Sequence, residues 1–122
     1  MENYGGDILA NFAWGTNTRW KPKWDSSHWP VSDFGPGWID EFHIWEWEWT
    51  DEHMIIRLDG VVLNDVSLAS TINGSAACAG QNPFQQPHRL LLNLALGGHA
   101  GGSIDDLLFP TRFLVDYVRV YQ

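Results

Sequence analysis

The most apolar stretch of the sequence, from which the fold prediction starts, is Pro87-His88-Arg89-Leu90-Leu91-Leu92-Asn93-Leu94-Ala95-Leu96-Gly97-Gly98. Between residues 90 and 96 every side chain is apolar except that of Asn93, and the run ends in a glycine pair. It is too short to span a membrane and too apolar on both faces for an edge strand. The run therefore predicts a central strand of a two-layered β structure.

The two faces of this predicted strand differ in character, because strand side chains alternate with period two. One face carries four leucines, and the other carries Arg89, Leu91, Asn93 and Ala95. The leucine face suits a core between two sheets, whereas the mixed face suits the floor of a polar cleft. Asn93 is therefore a candidate cleft residue, and the alternative is that its amide only satisfies a neighbouring backbone group.

Composition limits the classes of function. Seven basic against fifteen acidic residues give a net charge of −8. This charge argues against polyanion binding in general and nearly excludes nucleic acid as a partner. The single cysteine, Cys78, excludes an internal disulfide, and the five histidines lack the spacing of a zinc site. No signal-peptide pattern or membrane span is recognisable, so we expect no membrane partner.

Tryptophan is the outlier, with eight in 122 residues. Four of them fall in residues 16–38, a stretch without periodicity that predicts a long loop: Trp20, Trp24, Trp29 and Trp38. Loops of this length in a compact domain are usually functional. These side chains either pack on the domain or are presented to a ligand such as a sugar ring, and the sequence leaves both readings open.

Alternating patterns predict further strands. Residues 8–15 have one bulky face and one small face that contains Asn11, the same asymmetry as around Asn93. In residues 41–50 a row of tryptophans alternates with Glu46 and Glu48, which favours tryptophans toward the core and glutamates toward water. Strands are also predicted at 53–58, 61–68 and 113–121, with an Asp59-Gly60 type I′ turn between the first two. The chain is predicted to be all-β, a sandwich or jelly roll.

Six motifs occur in an order that resembles a known family. They are Ile8-Leu9-Ala10-Asn11-Phe12-Ala13-Trp14-Gly15-Thr16, Phe42-His43-Ile44-Trp45-Glu46-Trp47-Glu48-Trp49, Leu58-Asp59-Gly60, Thr71-Ile72-Asn73-Gly74, Gln86-Pro87-His88-Arg89-Leu90-Leu91-Leu92-Asn93-Leu94-Ala95 and Val115-Asp116-Tyr117-Val118-Arg119-Val120-Tyr121. The series is similar to the C-terminal half of glycoside hydrolase family 16, in particular its laminarinase-like β-glucanases. The resemblance covers essentially the whole chain, residues 1–122.

The resemblance implies a concanavalin-like jelly-roll β-sandwich with a glucan cleft across one sheet. It also implies secretion or a periplasmic location, and a retaining mechanism on β-1,3 or mixed β-1,3/1,4 glucan. The family signature is Glu-x-Asp-x-x-Glu, which holds the nucleophile, an assisting aspartate and the general acid/base. Only its last glutamate, Glu2, can be present here. We therefore expect an incomplete domain that needs its N-terminal half and is inactive alone.

The resemblance and the strand faces together name the candidate site residues. Glu2 is the catalytic acid/base, and the proposed substrate-binding residues are Asn11, Trp20, Trp24, Gln86, His88 and Asn93. No cofactor is required, but family members often hold a structural calcium ion, for which Asp116 is the candidate ligand. The alternative function is a non-catalytic, lectin-like carbohydrate-binding module, because the same sandwich also supports lectins.

Overall fold

The structure, a computed structural model, describes residues 2–4, 6–74, 78, 80–98 and 102–122, with the backbone alone for 2–4 and 108. The chain divides into two units, Met1–His88 and Arg89–Gln122. The described elements are β-strands and single-turn 3-10 helices. The strands all pair antiparallel, which agrees with the predicted all-β class.

The first unit contains two three-stranded sheets. The first sheet consists of β1 (Glu2–Tyr4), β2 (Asp7–Trp14) and β3 (Lys23–Pro30) in that order. The second consists of β4 (Trp45–Trp49), β5 (His53–Leu58) and β6 (Val61–Ser67). The 3-10 helices of this unit are Val31–Phe34, Trp38–Asp40, Leu68–Ser70 and Pro83–Gln85.

One hydrophobic core lies between the two sheets. Its buried members come from β2, β5, β6 and the segment that follows: Ile8, Ala10, Phe12, Trp14, Met54, Ile56, Leu58, Leu63, Val66, Leu68 and Phe84. A polar contact also crosses the core, because the buried Asn64 side chain in β6 donates to the carbonyl of Ala10 in β2 at 2.8 Å. The arrangement is a two-layered β structure in which every second residue of β2 faces inward.

Three of the strands predicted from alternating patterns are confirmed at nearly their predicted bounds. The predicted strand at 8–15 is β2, and those at 53–58 and 61–68 are β5 and β6. Asp59 and Gly60 both have positive φ angles, 50° and 80°, as a type I′ turn requires. A turn of this type matches the twist of the strands on either side, so β5 and β6 form a tight hairpin.

The prediction of a long loop over residues 16–38 is wrong in its second half. Lys23–Pro30 forms β3, which pairs along the whole length of β2 from Asp7↔Pro30 to Trp14↔Lys23. The strand escaped detection because its inward positions include Asp25 and Ser27, which break the apolar alternation. Ser27 instead accepts a hydrogen bond from Nε1 of Trp29, which satisfies the indole at the edge of the core.

The tryptophan row of β4 faces inward, as predicted, but it is only partly covered. Trp45, Trp47 and Trp49 pair with Leu58, Ile56 and Met54, all of which are buried. Trp47 and Trp49 nevertheless remain 43% and 39% exposed. The reason is that β4 is the edge strand of its sheet, and the two rings stack on each other with an angle of 9° between planes.

The second unit differs from the sequence prediction. Residues 90–96 and 113–121 contain no paired strand, and the leucines of the first segment are exposed. A run of alternating or apolar residues becomes a strand only when a neighbour completes its ladder of hydrogen bonds, and no ladder is described here. The one regular element described in this unit is the 3-10 helix Asp106–Leu108, capped by the Asp105 side chain. Within the described residues no helix is long and apolar enough to cross a membrane.

Candidate functional site

The outer face of the first sheet, on the side away from the core, is the candidate ligand surface. Leu9, Asn11 and Ala13 of β2 alternate with the core residues and therefore face outward, although Leu9 is itself buried, with only 6% exposed. The ladder pairs them with His28, Ser26 and Trp24 of β3, and cross-strand partners share a face. We call the six residues Leu9, Asn11, Ala13, Trp24, Ser26 and His28 the outer face. It combines polar hydrogen-bonding groups with one large exposed aromatic ring.

Asn11 lies in the middle of this surface. Its Oδ1 accepts a hydrogen bond from the backbone N–H of Ser27 at 3.2 Å. The carbonyl half of the amide is therefore engaged with β3, while no bond of its NH2 group to a described residue is present. A fixed amide with available donors is suited to sugar hydroxyls, which accept as well as donate.

The loop tryptophans divide into two pairs. Trp29 and Trp38 pack against the core, and Trp38 also stacks on His43 at 3.8 Å between ring centroids. Trp24 and Trp20 are 57% and 85% exposed, in β3 and in the connection from β2 to β3 respectively. Packing on the domain thus describes Trp29 and Trp38, and exposure to solvent describes Trp20 and Trp24. The exposed pair consists of the two residues proposed as stacking platforms for sugar.

The backbone of Glu2 pairs with a residue of the outer face. Glu2 pairs with Leu9 in the register of β1 and β2, and Leu9 belongs to the outer face. The predicted acid/base residue is therefore placed one strand away from Asn11 in the same sheet. The side chain of Glu2 lies outside the described part of the structure.

Gln86 and His88 are not brought next to Asn11 by any described contact. His88 donates through Nε2 to the carbonyl of Pro83 at 2.8 Å, and its ring meets Trp49 edge-on at 5.3 Å. Gln86 lines an open depression of about 400 Å³ together with Trp49 and Phe84. Both residues therefore lie at the edge of the second sheet. Their role at the cleft rim stays a prediction.

Asn93 and Asp116 both belong to the second unit and are exposed. Among the described residues no group of three His, Cys, Asp or Glu side chains is close enough to hold a metal ion. Asp116 alone does not make a calcium site, because calcium takes six to eight oxygen ligands. The described residues thus do not fit the ion by themselves, and the calcium site stays a prediction.

Sequence reasoning missed Ser26 and His28 as members of the outer face. His28 Nδ1 lies 3.7 Å from a carboxylate oxygen of Asp7, and the His28 side chain is half exposed. Both residues went unnoticed because β3 was read as loop. If Trp24 and Trp29 had been recognised as residues on opposite faces of one strand, Ser26 and His28 would have been assigned to the same face as Trp24.

A second polar cluster lies away from the outer face, around His43. Its Nδ1 is 2.7 Å from the Asp59 carboxylate and its Nε2 is 2.5 Å from the carbonyl of Trp38. Partial burial lowers the pKa of His43, but these two acceptors and the nearby charges of Asp59 and Glu41 outweigh it, and the pKa lies above its ordinary value of 6.5. For Asp59, burial raises the pKa, but hydrogen bonds from Ile44 and His43 hold it below 3.8.

We expect stability to fall as pH rises from about 6.5 through the raised pKa of folded His43, because the folded state then loses a proton that it binds more tightly than the unfolded state does. His53 contributes in the same direction, since its hydrogen bond to Asp65 raises its pKa. Urea unfolding between pH 5 and 9 measures the effect. His43→Gln should reduce the pH dependence, and an identical slope in variant and parent would contradict the assignment.

Comparison with known proteins finds relatives whose names refer to β-glucan. It is 30% identical to a β-1,3-glucan-binding protein of Penaeus monodon over 93% of the chain and 38% of that protein. It is 34% identical to a β-glucanase of Rhodothermus marinus over 67% of the chain and 29% of that protein. A glucan endo-1,3-β-glucosidase A1 of Niallia circulans is 27% identical over 77% of the chain. No family model and no solved structure matches.

These relatives carry two kinds of name, for glucan binding and for glucan hydrolysis. The chain spans less than two fifths of the length of either of the first two. The similarity supports the predicted connection with β-glucan, and it leaves hydrolysis and binding as alternatives.

Proposed function

We propose that this chain is part of a retaining endo-β-glucanase of the glycoside hydrolase family 16 type, acting on β-1,3 or mixed β-1,3/1,4 glucan outside the cytoplasm. The observation that carries the proposal is the outer face of the first sheet, where Asn11 and the exposed Trp24 lie in the same sheet as the backbone position of Glu2. An open sheet face with a stacking ring and amide donors suits a long polysaccharide better than an enclosed pocket does.

In the proposed mechanism Glu2 protonates the leaving glycosidic oxygen and then activates water. A carboxylate 5–5.5 Å away, as retaining enzymes require, attacks the anomeric carbon. We assign that nucleophile and the assisting aspartate to sequence before Met1. The neighbouring carboxylates would raise the pKa of the acid by like-charge repulsion and keep it protonated near neutral pH. The chain as given should then bind glucan but not hydrolyse it.

A second function, glucan binding without catalysis, is favoured by one finding: a relative that matches over 93% of the chain is named a glucan-binding protein. The two functions share the outer face and differ in their need for Glu2. Release of reducing ends from laminarin, measured with the upstream coding sequence included, separates them. Absence of hydrolysis together with retained binding would establish the second function.

Trp24→Ala is expected to weaken laminarin binding about ten-fold, because it removes an exposed ring that stacks on sugar. Affinity electrophoresis or calorimetry measures the change. Trp47→Ala is the matched control, since it also deletes a partly exposed tryptophan but on the inward side of the second sheet. Equal loss in both variants, or none in Trp24→Ala, would argue against the outer face as the glucan surface.

Asn93→Ala is expected to weaken glucan turnover or binding several-fold without unfolding the domain, since each hydrogen bond from the amide to a ligand would contribute about 0.5–1.5 kcal/mol. Exposure of Asn93 in the described structure makes a folding defect unexpected. Laminarin titration and a thermal melt should be recorded on the same preparation. Unchanged affinity and turnover would place Asn93 among ordinary structural residues.

A further inference from the structure

The connection between β2 and β3, together with the first residue of β3, carries much of the positive charge of the chain. Three of the seven Lys and Arg residues, Arg19, Lys21 and Lys23, lie within five positions. No Asp or Glu occurs between Asp7 and Asp25, although the chain as a whole carries fifteen acids. We call residues 16–22, which join the two strands, the hairpin tip.

Arg19 and Trp20 form an exposed pair on this tip. The guanidinium carbon of Arg19 lies 5.1 Å from the centroid of the Trp20 ring, in cation–π geometry. Trp20 has a positive φ of 63°, which bulky side chains rarely adopt, and 85% of the residue is exposed. A large ring that is held in a strained conformation and is yet almost fully exposed suggests a role in binding rather than in packing.

Local hydrogen bonds hold the tip in this conformation. The hydroxyl of Thr16 donates to the carbonyl of Lys21 at 2.5 Å and accepts from the N–H of Thr18 at 3.2 Å. At its base, the N–H of Gly15 donates to Oδ1 of Asn73 at 2.8 Å, and the N–H of Gly74 donates to the carbonyl of Gly15. A Cβ at Gly15 would lie 2.9 Å from Oδ1 of Asn73, so glycine permits this close approach. The tip is therefore a shaped element fixed to the domain.

The cations of the tip, Arg19 and Lys21, and the neighbouring Lys23 of β3 are not neutralised by a carboxylate within the described structure. Arg57 forms an ion pair with Glu48 at 2.6 Å, whereas no carboxylate partner is described for Arg19, Lys21 or Lys23. Lys23 instead places its ammonium 5.1 Å from the ring centroid of Trp14, a core residue. Arg19 thus keeps guanidinium N–H donors for an external acceptor.

We propose that the hairpin tip binds an anionic group, sulfate ester or carboxylate, carried on the polysaccharide chain that the outer face binds. Trp20 stacks on a sugar ring, and Arg19 donates hydrogen bonds to the charged oxygens. The geometry fits this ligand because a planar guanidinium recognises paired anionic oxygens. The inference rests on the proposed glucan function and adds a charged substituent to its ligand.

The net charge of −8 does not prevent such binding. Salt limits the reach of exposed charges to a Debye length of about 8 Å at physiological ionic strength. A ligand group at the tip therefore responds mainly to the nearby cations. This local surface qualifies the general expectation from composition that polyanions are disfavoured.

The test compares the affinity of the 122-residue chain for neutral laminarin, laminarin sulfate and carboxylated β-1,3-glucan at one salt concentration. We expect tighter binding of at least one charged glucan, and the two charged ligands distinguish sulfate from carboxylate. Arg19→Gln should weaken binding of the preferred charged glucan about ten-fold, the effect of one charge-assisted hydrogen bond, and should leave laminarin binding unchanged. Arg19→Lys should retain part of the preference.

Lys23→Gln is the matched control, because it removes the same charge from a side chain that lies against Trp14. Equal losses of affinity in Arg19→Gln and Lys23→Gln would overturn the proposal, because they would show general electrostatic attraction.

The parent chain gives three further outcomes. Equal affinity of the parent chain for neutral and charged glucan would overturn the proposal while leaving the glucan function standing. Equally tight binding of dextran sulfate would show attraction to charge without recognition of the β-glucan ring, which also overturns it. Failure to bind neutral laminarin, with charged glucan still bound, would count against the proposed function alone.

Discussion

Replacing Glu2 by glutamine is expected to abolish hydrolysis of laminarin in the protein that carries the upstream sequence. A general acid contributes about 10²–10⁴ in rate, and glutamine cannot donate the proton that the leaving sugar needs. The variant should keep part of its first step on a substrate with an activated aryl leaving group, which needs little protonation. Azide should then rescue the second step, because it needs no general base.

Reducing-end assays on laminarin and release of the aryl group measure these two steps separately. Glu46→Gln is the control, since it changes a carboxylate on an exposed position of β4, in the other sheet. Intact laminarin hydrolysis by Glu2→Gln would show that Glu2 is misplaced and that the proposed position of the nucleophile is wrong as well. Loss of glucan binding in Glu2→Gln would instead indicate that the substitution disturbs the outer face rather than the chemical step.

Replacing Asn64 by leucine is expected to destabilise the first unit by about 1–3 kcal/mol, because it leaves the buried carbonyl of Ala10 without its donor. The same amide also lies 3.4 Å from the carbonyl of Asp25, so one side chain connects β6 to both β2 and β3. For a unit of this size, each 1 kcal/mol lowers the melting temperature by roughly 4–8 °C. Thermal and urea unfolding followed by tryptophan fluorescence measure the loss.

Val62→Ala is the control for this measurement. Val62 lies in the same strand but is exposed, so its truncation should change stability by about 0.5 kcal/mol or less. Equal stability of Asn64→Leu and the parent would mean that the hydrogen bond from Asn64 to Ala10 adds nothing to stability beyond what apolar packing supplies. A change in urea m-value, by contrast, would point to altered compactness rather than to the lost hydrogen bond.

The elements that sequence predicted correctly are those whose signal is local. β2 and β5 alternate between buried and exposed side chains, and Asp59-Gly60 specifies its own turn. β3 was missed because its pairing with β2, and not its composition, makes it a strand. The apolar run at residues 90–96 illustrates the converse, since hydrophobicity alone does not supply a hydrogen-bonding neighbour.

The candidate site was predictable to a similar extent. The period-two pattern placed Asn11 on the face opposite the core, and the structure adds Trp24 beside Ala13 through the register. A stretch read as loop could not show that Trp20 and Trp24 are exposed while Trp29 and Trp38 are partly buried against the core. The positions of Gln86 and His88 beside Trp49 depend on contacts between distant segments, which periodicity does not report.

The order of strands within each sheet has a consequence for folding kinetics. Both sheets follow the chain order, β1-β2-β3 and β4-β5-β6, so every ladder joins consecutive strands. Such ladders close short loops and carry a small entropic cost, whereas contacts between the sheets span much longer separations, 54 residues for Asn64 and Ala10. Each meander can therefore form early and independently, and the docking of one sheet on the other should limit the rate of folding.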